Sequence, residues 1–587
     1  MRPRMLLMAF VLVAPVLAGC LSDDASTTDL TDPTERIYED LAKAYEEALW
    51  DTTHSWSVPI TPPLYDRLPS VIHQITSFDG TPIELGIFRP DIPGCPTDLG
   101  AAEFPEECKT PVIMDSGPYY TPSSIGTEST RPPTAIWMVP HGYTVVYMAV
   151  RGTGGSGGCM EFMSLNEQKD VDATVTWLGE APWSTGAVGM IGRSYDGTTP
   201  FMAAAFGNPY LKTIVPISGV SDVPDLMFSN GTSEFRGPIM HNVVYWTTFG
   251  IGMEPTETAD SQVCEEVAKG TATGAYTSAT GDWSVAGQDD YWEVRKWREP
   301  ILENYDGSLY IIHGMQDWNV NPRMVVPWIN ELQDSGLKVK ALLGQWGHAY
   351  PDRTDEHENT RWDWAETLVR WFDAELKGID VDTGPTIEVE DHRHDWWVMD
   401  SYPARDLVWR KLALNADGTM TNESEASGNR LLANPAGQQN LQRITLTSEE
   451  FSEPVRVSGL VRMDLKVTPS TATGGNVYFQ LYDIYPDGRA HWMGQGWMNV
   501  LYHEGGNEKQ TLTPGQAVIA KMESEPLEAF LPAGHKIRLV IDQEFTGSRS
   551  DGNPKPETGP MVVHLDGDSV LKLPIVTDFT RSPYRDP

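Results

Sequence analysis

Gly192-Arg193-Ser194-Tyr195-Asp196-Gly197 is a G-x-S-x-x-G run that follows the apolar stretch Val188–Ile191 and precedes a segment expected to turn helical near Pro200. A tight strand-to-helix turn of this kind holds a serine oxygen out above a sheet, and its small residues let the backbone cross closely. A serine hydroxyl is a poor nucleophile near neutral pH. It needs a base at hydrogen-bonding distance, and that base needs a carboxylate to fix its tautomer. Asp317, in the run His313-Gly314-Met315-Gln316-Asp317-Trp318, follows the strand-like stretch Leu309–Ile312, and His348, in Gly344-Gln345-Trp346-Gly347-His348, follows Leu337–Leu343. Serine, then acid, then histidine is the chain order that goes with such a turn, and both loops fall at the edge where open α/β sheets bind ligands. The chemistry on offer is acyl transfer: His348 takes the Ser194 proton, Asp317 stabilises the imidazolium, and the Tyr195 N–H faces the developing oxyanion. His313 falls before the acid and is expected to lie in or along the sheet, while Asp306 and Asp334 read as surface turn or helix-end residues.

The elements that must position these residues are legible as pattern. Val71–Ser77 and Pro82–Arg89 flank an Asp79-Gly80 turn, a hairpin signal. Apolar runs at Val112–Met114, Tyr143–Val150, Val188–Ile191, Leu211–Ile217, Leu309–Ile312 and Leu337–Leu343 alternate with helical segments, which predicts a mostly parallel sheet covered on both faces. Glu167–Leu178 places Val171, Val175 and Leu178 on one stripe, and Arg361–Gly378 does the same with Trp364, Leu368, Trp371 and Phe372. Between about 222 and 300 the strand signal disappears, as expected of a cap inserted over the sheet edge. Beyond about 385 the pattern becomes all-β: Val461, Met463, Leu465 and Val467 alternate with charged residues, as do Ile537, Leu539 and Ile541. That alternation, with turns at Gly474-Gly475, Pro486-Asp487-Gly488 and Pro532-Ala533-Gly534, predicts an antiparallel sandwich over 385–587.

At 587 residues the chain is too long for one core. Its 82 Asp+Glu against 43 Lys+Arg give a formal charge of -39, a field that repels nucleic acid and anionic lipid. Arg2 and Arg4 precede an apolar run, Leu6 to Leu17, too short for a stable span, so residues 1–20 read as a signal peptide for export. The run ends in Leu17-Ala18-Gly19-Cys20, which resembles the lipobox of prokaryotic lipoproteins. That resemblance implies lipidation at Cys20 and attachment to the outer face of the cell membrane, with 21–36 as a flexible tether; the alternative is an ordinary signal peptide and a secreted protein. The remaining cysteines are Cys95, Cys108, Cys159 and Cys264, an even number for an oxidising compartment. Cys95 and Cys108 bracket a Pro/Gly-rich loop and make the easier pair, leaving Cys159 with Cys264; the sequence alone allows three pairings.

Taken together, Gly117-Pro118-Tyr119-Tyr120, Val150-Arg151-Gly152-Thr153-Gly154-Gly155-Ser156, Pro182-Trp183-Ser184 and the three runs around Ser194, Asp317 and His348 resemble the Xaa-Pro dipeptidyl peptidase and cocaine esterase family of serine hydrolases. The resemblance covers nearly everything after the tether. It implies an α/β-hydrolase domain over 37–384 with an inserted helical cap, then a jelly-roll sandwich. It also implies that the Tyr119 hydroxyl joins the Tyr195 N–H in the oxyanion hole, and that no cofactor is needed. Trp318-Asn319-Val320, with Ser229-Asn230-Gly231 in the cap, look more like the peptidases than the esterases. Release of N-terminal Xaa-Pro dipeptides is therefore the expectation, with small esters or amides as the alternative substrates. Tyr120 and Trp318 become candidate substrate contacts. A free amino terminus calls for a carboxylate, for which Asp222, Asp225 and Glu234 lie suitably early in the cap.

Three other readings fare worse. Gly152-Thr153-Gly154-Gly155-Ser156-Gly157 formally matches a dinucleotide fingerprint, but Gly158-Cys159-Met160-Glu161-Phe162 reads as a loop where a helix should open. Asp391-His392-Arg393-His394-Asp395 lacks the third spaced ligand of a metal site and reads as a solvated strand. A binding protein with a dead hydrolase domain would leave Ser194 inert.

Overall fold

A computed structural model of the chain describes residues 62–121, 124–126, 134–233, 272, 290–353, 361–433, 442–506, 508–543, 559–582 and 584. The expected signal peptide, tether and Cys20 lie outside these residues, as do Glu234, Cys264 and most of the cap.

Val71–Thr76 (β1) and Pro82–Phe88 (β2) form the expected hairpin, with Gly80 at φ 91° in its turn, a conformation that favours glycine. Thr110–Gly117 (β3), Thr144–Ala149 (β4), Ser184–Arg193 (β5), Leu211–Ile217 (β6), Ser308–Gly314 (β7), Lys338–Gly344 (β8) and Ile387–Glu390 (β9) run parallel, and Trp396–Met399 (β10) turns back antiparallel to β9. The ten-stranded order is β10-β9-β8-β7-β6-β5-β3-β4-β2-β1. Because β4 and β5 lie on opposite sides of β3, the chain reverses direction across the sheet there, and loops after β3 and β5 diverge to leave a crevice at their carboxyl ends.

Helices close both faces. Leu165–Glu180 (α1) buries Val171, Val175 and Leu178; Tyr195–Ala204 (α2) is buried throughout; Trp364–Lys377 (α3) buries Trp364, Leu368, Trp371 and Phe372. The helix after Ser194 begins at Tyr195, not near Pro200. Pro200 sits inside it as the sixth residue and takes away the N–H that would bond the Asp196 carbonyl, which accepts from the Thr199 hydroxyl at 3.0 Å instead.

The change of domain expected at 384–385 falls before β9 and β10, which belong to the first sheet because β9 adds alongside β8. The all-β region follows, mostly antiparallel, with Val408–Leu414 pairing to Val570–Val576. Its alternating positions Met463, Leu465, Val467, Ile537, Leu539 and Ile541 are fully buried, as their period of two requires.

The turn 391–395 between β9 and β10 is not a solvated strand. Asp391 and His392 are buried, with Asp391 accepting from the Trp397 indole at 2.8 Å and His392 Nε2 at 3.3 Å from Asp483 of the sandwich. Among the described residues no group of three or more His, Cys, Asp or Glu is disposed to hold a metal ion. Cys95 and Cys108 form a disulfide. Cys159 is disulfide-bonded as well, and its expected partner Cys264 lies outside the described residues.

Candidate active site

Ser194 stands between β5 and α2 with φ 69° and ψ -120°, a region non-glycine residues avoid at a cost of about 1–3 kcal/mol. Its N–H donates to the Ile217 carbonyl of β6 at 3.0 Å, which helps fix the strained turn. The glycines of the motif have separate tasks. A Cβ on Gly192 would lie 2.4 Å from the Asp196 carbonyl oxygen, and one on Gly197 would lie 2.3 Å from that of Ile217. The second glycine thus stands one position later than in G-x-S-x-G because residue 197 is the one that crosses β6.

Gly314 and Gly344 are paired at the ends of β7 and β8, so Asp317 and His348 leave the sheet side by side. Met315 N–H donates to the Gly344 carbonyl at 2.7 Å, Gln316 N–H to that of Trp346 at 3.0 Å, and the Gln316 amide to the Gln345 side chain at 2.7 Å. These bonds close the two loops on each other. Asp317 is fully buried. Its Oδ2 accepts from His348 Nδ1 at 2.8 Å, and its Oδ1 accepts from the N–H groups of Asn319 and Val320 at 2.9 and 2.8 Å. Burial pushes the Asp317 pKa up, but the two histidines and the N–H bonds outweigh it and hold the carboxyl below its ordinary value. With Nδ1 committed to the carboxylate, Nε2 is the nitrogen left to serve a hydroxyl. The His348 side chain keeps 18% of its surface exposed, whereas His313 is buried with Nε2 2.9 Å from the Val320 carbonyl, in the sheet as expected.

A residue that the sequence reading passed over links the two halves. Arg193, immediately before Ser194, donates to the His348 carbonyl at 3.0 Å and lies over the Tyr350 ring at 4.5 Å. On the other side of Ser194, the Tyr195 hydroxyl donates to Glu167 Oε1 at 2.6 Å, and Glu167 also accepts from the Met163 N–H. Burial raises the Glu167 carboxyl to about 7. The bond fixes the Tyr195 ring, and with it the amide at the first position of α2, where the helix dipole favours negative charge.

The structure sorts the remaining candidates. Tyr119 lies in the turn after β3, at the crevice, and is 38% exposed. Tyr120, expected to touch substrate, is buried, with its ring against Tyr147 and its hydroxyl 3.4 Å from Asp196. Trp318 is also buried, edge-on to Trp492 of the sandwich at 5.8 Å, so its bulk braces the Asp317 loop. Asp222 caps the short helix Val223–Met227 by accepting from the Asp225 N–H, and Asp225 pairs with Arg298 at 3.1 Å. Both carboxylates are thereby engaged within the cap base. The sandwich reaches this rim again through Glu525, which accepts from the Arg323 N–H at 3.3 Å, and through Trp497, whose carbonyl accepts from Asn230 at 3.0 Å.

The glycine-rich run 152–157 is a loop filled by the protein's own anion. Glu84 accepts from the Gly155 N–H at 2.7 Å, and Ser156 bonds the Ala149 carbonyl and the Glu84 N–H. A phosphate would meet a carboxylate in that place.

Residues 79–350 match the family described as X-Pro dipeptidyl-peptidase (S15 family), and residues 380–568 match the X-Pro dipeptidyl-peptidase C-terminal non-catalytic domain. The chain belongs to the S15 X-Pro dipeptidyl-peptidase family. It is a serine hydrolase. It is 26% identical to a putative Xaa-Pro dipeptidyl-peptidase of Streptomyces avermitilis, over 81% of this chain and 79% of the relative. A second putative Xaa-Pro dipeptidyl-peptidase, from Bacillus anthracis, is 25% identical over 75% of this chain and 74% of its own length. Among solved structures, a CocE/NonD family hydrolase from Staphylococcus aureus superposes with TM-score 0.67 at 16% identity, covering 90% of this S15 chain and all of the other. An α-amino acid ester hydrolase gives TM-score 0.66 at 17% identity, with 90% and 99% covered. These likenesses establish the shared fold: a parallel-sheet hydrolase domain followed by a mostly antiparallel β domain.

Proposed function

We propose that Ser194, His348 and Asp317 form the catalytic triad of a dipeptidyl peptidase that releases Xaa-Pro dipeptides from the amino ends of peptides. The observation that carries this reading is the Asp317–His348 bond of 2.8 Å at the sheet edge, held beside the strained Ser194 turn by the Arg193 bond to the His348 carbonyl. In the cycle, His348 Nε2 accepts the Ser194 proton as the hydroxyl attacks the substrate carbonyl, and Asp317 stabilises the imidazolium. The Tyr195 N–H and the Tyr119 hydroxyl bind the oxyanion. His348 then returns the proton to the leaving amine, and water resolves the acyl-enzyme by the same path in reverse.

The preference for Xaa-Pro rests on family membership and on the names of the relatives. It is tested by comparing Ala-Pro, Ala-Ala and N-blocked Ala-Pro anilides with a simple aryl ester. Cleavage of the free Ala-Pro anilide with the highest kcat/KM is expected; turnover of the ester alone would replace the peptidase reading by an esterase one.

Export and anchoring form part of the same reading: a lipidated Cys20 would hold the enzyme on the outer face of the membrane. Mass spectrometry of the mature amino terminus tests it, and an unmodified Cys20 thiol would remove the anchor.

A further inference from the structure

We propose that Asp115 and Asp196 share one proton beneath the candidate active site, and that this carboxyl pair, with the Tyr120 hydroxyl, is a positioning device tying the Tyr119 turn to the Ser194 turn. The proposal rests on the roles given above to Ser194 and Tyr119.

Asp115 is in β3, two residues before the crevice turn, and Asp196 is the second residue of α2. Both are buried, Asp115 completely. They come from elements that must move together if oxyanion donors and nucleophile are to stay aligned, and the contact is close. A Cβ on Gly117 would lie 1.5 Å from Asp196 Oδ1, so the carboxyl rests on the backbone that leads into Pro118 and Tyr119. Tyr120 OH is 3.4 Å from Asp196 Oδ2. Thr199 adds a bond from α2 to the Ser116 carbonyl at 2.8 Å.

The groups facing the pair come from every neighbouring element. Both Asp115 oxygens and Asp196 Oδ1 are buried with no hydrogen-bond donor among the described residues, so a proton on the pair itself is what would satisfy them; the Tyr120 hydroxyl, the Ser116 N–H and, as the cation, Arg193 at the end of β5 are the other groups acting on it. Tyr147 of β4 packs on Tyr120 with ring centroids 5.3 Å apart, and Tyr350 lies beneath the Arg193 guanidinium. Two carboxylates in contact inside a protein cannot both ionise, because each lacks water and repels the other. Burial, acting first, holds both carboxyls well above the ordinary range. With one proton between them the pair is a hydrogen bond. Without it, two anions face each other beside Arg193, the residue that also holds the His348 carbonyl.

The test uses the full chain and the rate at which a fluorophosphonate, which carries no amine of its own, modifies Ser194 across roughly pH 6 to 10. The wild-type rate should fall at the alkaline end as the pair loses its proton. Asp115→Asn supplies a permanent N–H donor in the same shape, so it should keep the neutral-pH rate and flatten the alkaline fall. Asp115→Ala removes the tie and should slow labelling by about 10- to 100-fold at every pH, the scale of a small misplacement of reacting groups. An Asn variant that keeps the alkaline fall, or an Ala variant as fast as wild type, would overturn the proposal. Infrared difference spectra between wild type and Asp115→Asn provide a readout independent of turnover: a protonated-carboxyl band at mildly alkaline pH should be present in the first and absent in the second. If Ser194 resists the probe yet the band is present, the assigned catalytic roles fall and the shared proton stands; if the band is missing, the shared proton falls whatever the enzyme cleaves.

Discussion

Two aspartate–histidine pairs in this chain have almost the same bond and opposite prospects. Asp317 Oδ2 accepts from His348 Nδ1 at 2.8 Å, and Asp483 Oδ1 lies 2.7 Å from His535 Nδ1. Each aspartate is fully buried. The first histidine sits on a loop beyond the carboxyl end of a parallel strand, beside the end of β5 that leads into Ser194, with part of its side chain exposed. The second is packed in the sandwich, where Asp483 also meets His392 of the β9–β10 turn. Side-chain chemistry alone does not make a catalytic base. The difference is the element that carries the pair: strand ends of a parallel sheet gather loops around a crevice, whereas the Asp483 pair fastens the sandwich to the first domain.

The largest expected contrast is between matching substitutions in the two pairs. Asp317→Asn should lower kcat by about 10,000-fold while the protein stays folded, since the imidazole loses its tautomer and its counter-charge. Asp483→Asn should leave kcat near wild type and lower unfolding stability by about 1–3 kcal/mol, the cost of stranding buried partners. Steady-state kinetics and denaturant unfolding on both variants would break the comparison if the roles came out reversed. Tyr119→Phe comes next. Removing one oxyanion donor should lower kcat by about 100- to 1,000-fold with little change in stability. Unaltered turnover would mean that the crevice supplies less than the comparison assigns to it.

The smallest effect is in pH. Burial would raise the Asp483 pKa, but the bonds from His392 and His535 outweigh it and bring it down to about 2. A carboxyl depressed on folding contributes stability that is full above its unfolded value, 3.8, and is lost as pH falls through about 2. Roughly 2 kcal/mol should therefore disappear over that window in wild type and be missing from Asp483→Asn, read from thermal unfolding at each pH.

Much of the architecture was legible because burial imposes periodicity. The strand Leu211–Ile217 has the very bounds its apolar run predicts, and α1 buries the stripe Val171, Val175 and Leu178. The Ser194 turn and the two loops after β7 and β8 were legible because strained turns and strand ends carry short local patterns. What escaped was set by distant contacts. Glu525, Trp492 and Trp497 reach the rim from the sandwich with no local mark. Arg193 and Asp196 stood inside the motif, but their roles depend on His348 and Asp115, far away in sequence. Asp115 offered one signal, a carboxylate ending the apolar run Val112–Met114. The turn 391–395 looked solvated because its charges are paired across the domain junction, which composition does not reveal.

The central claim is that Ser194 is made nucleophilic by its neighbours at the sheet edge. Fluorophosphonate labelling followed by peptide mapping measures this directly. One adduct per chain on the peptide containing Ser194, lost when His348→Ala is treated for the same time, is the predicted result. An unlabelled wild-type protein, an adduct on another serine, or a His348→Ala variant labelled as fast as wild type would contradict it.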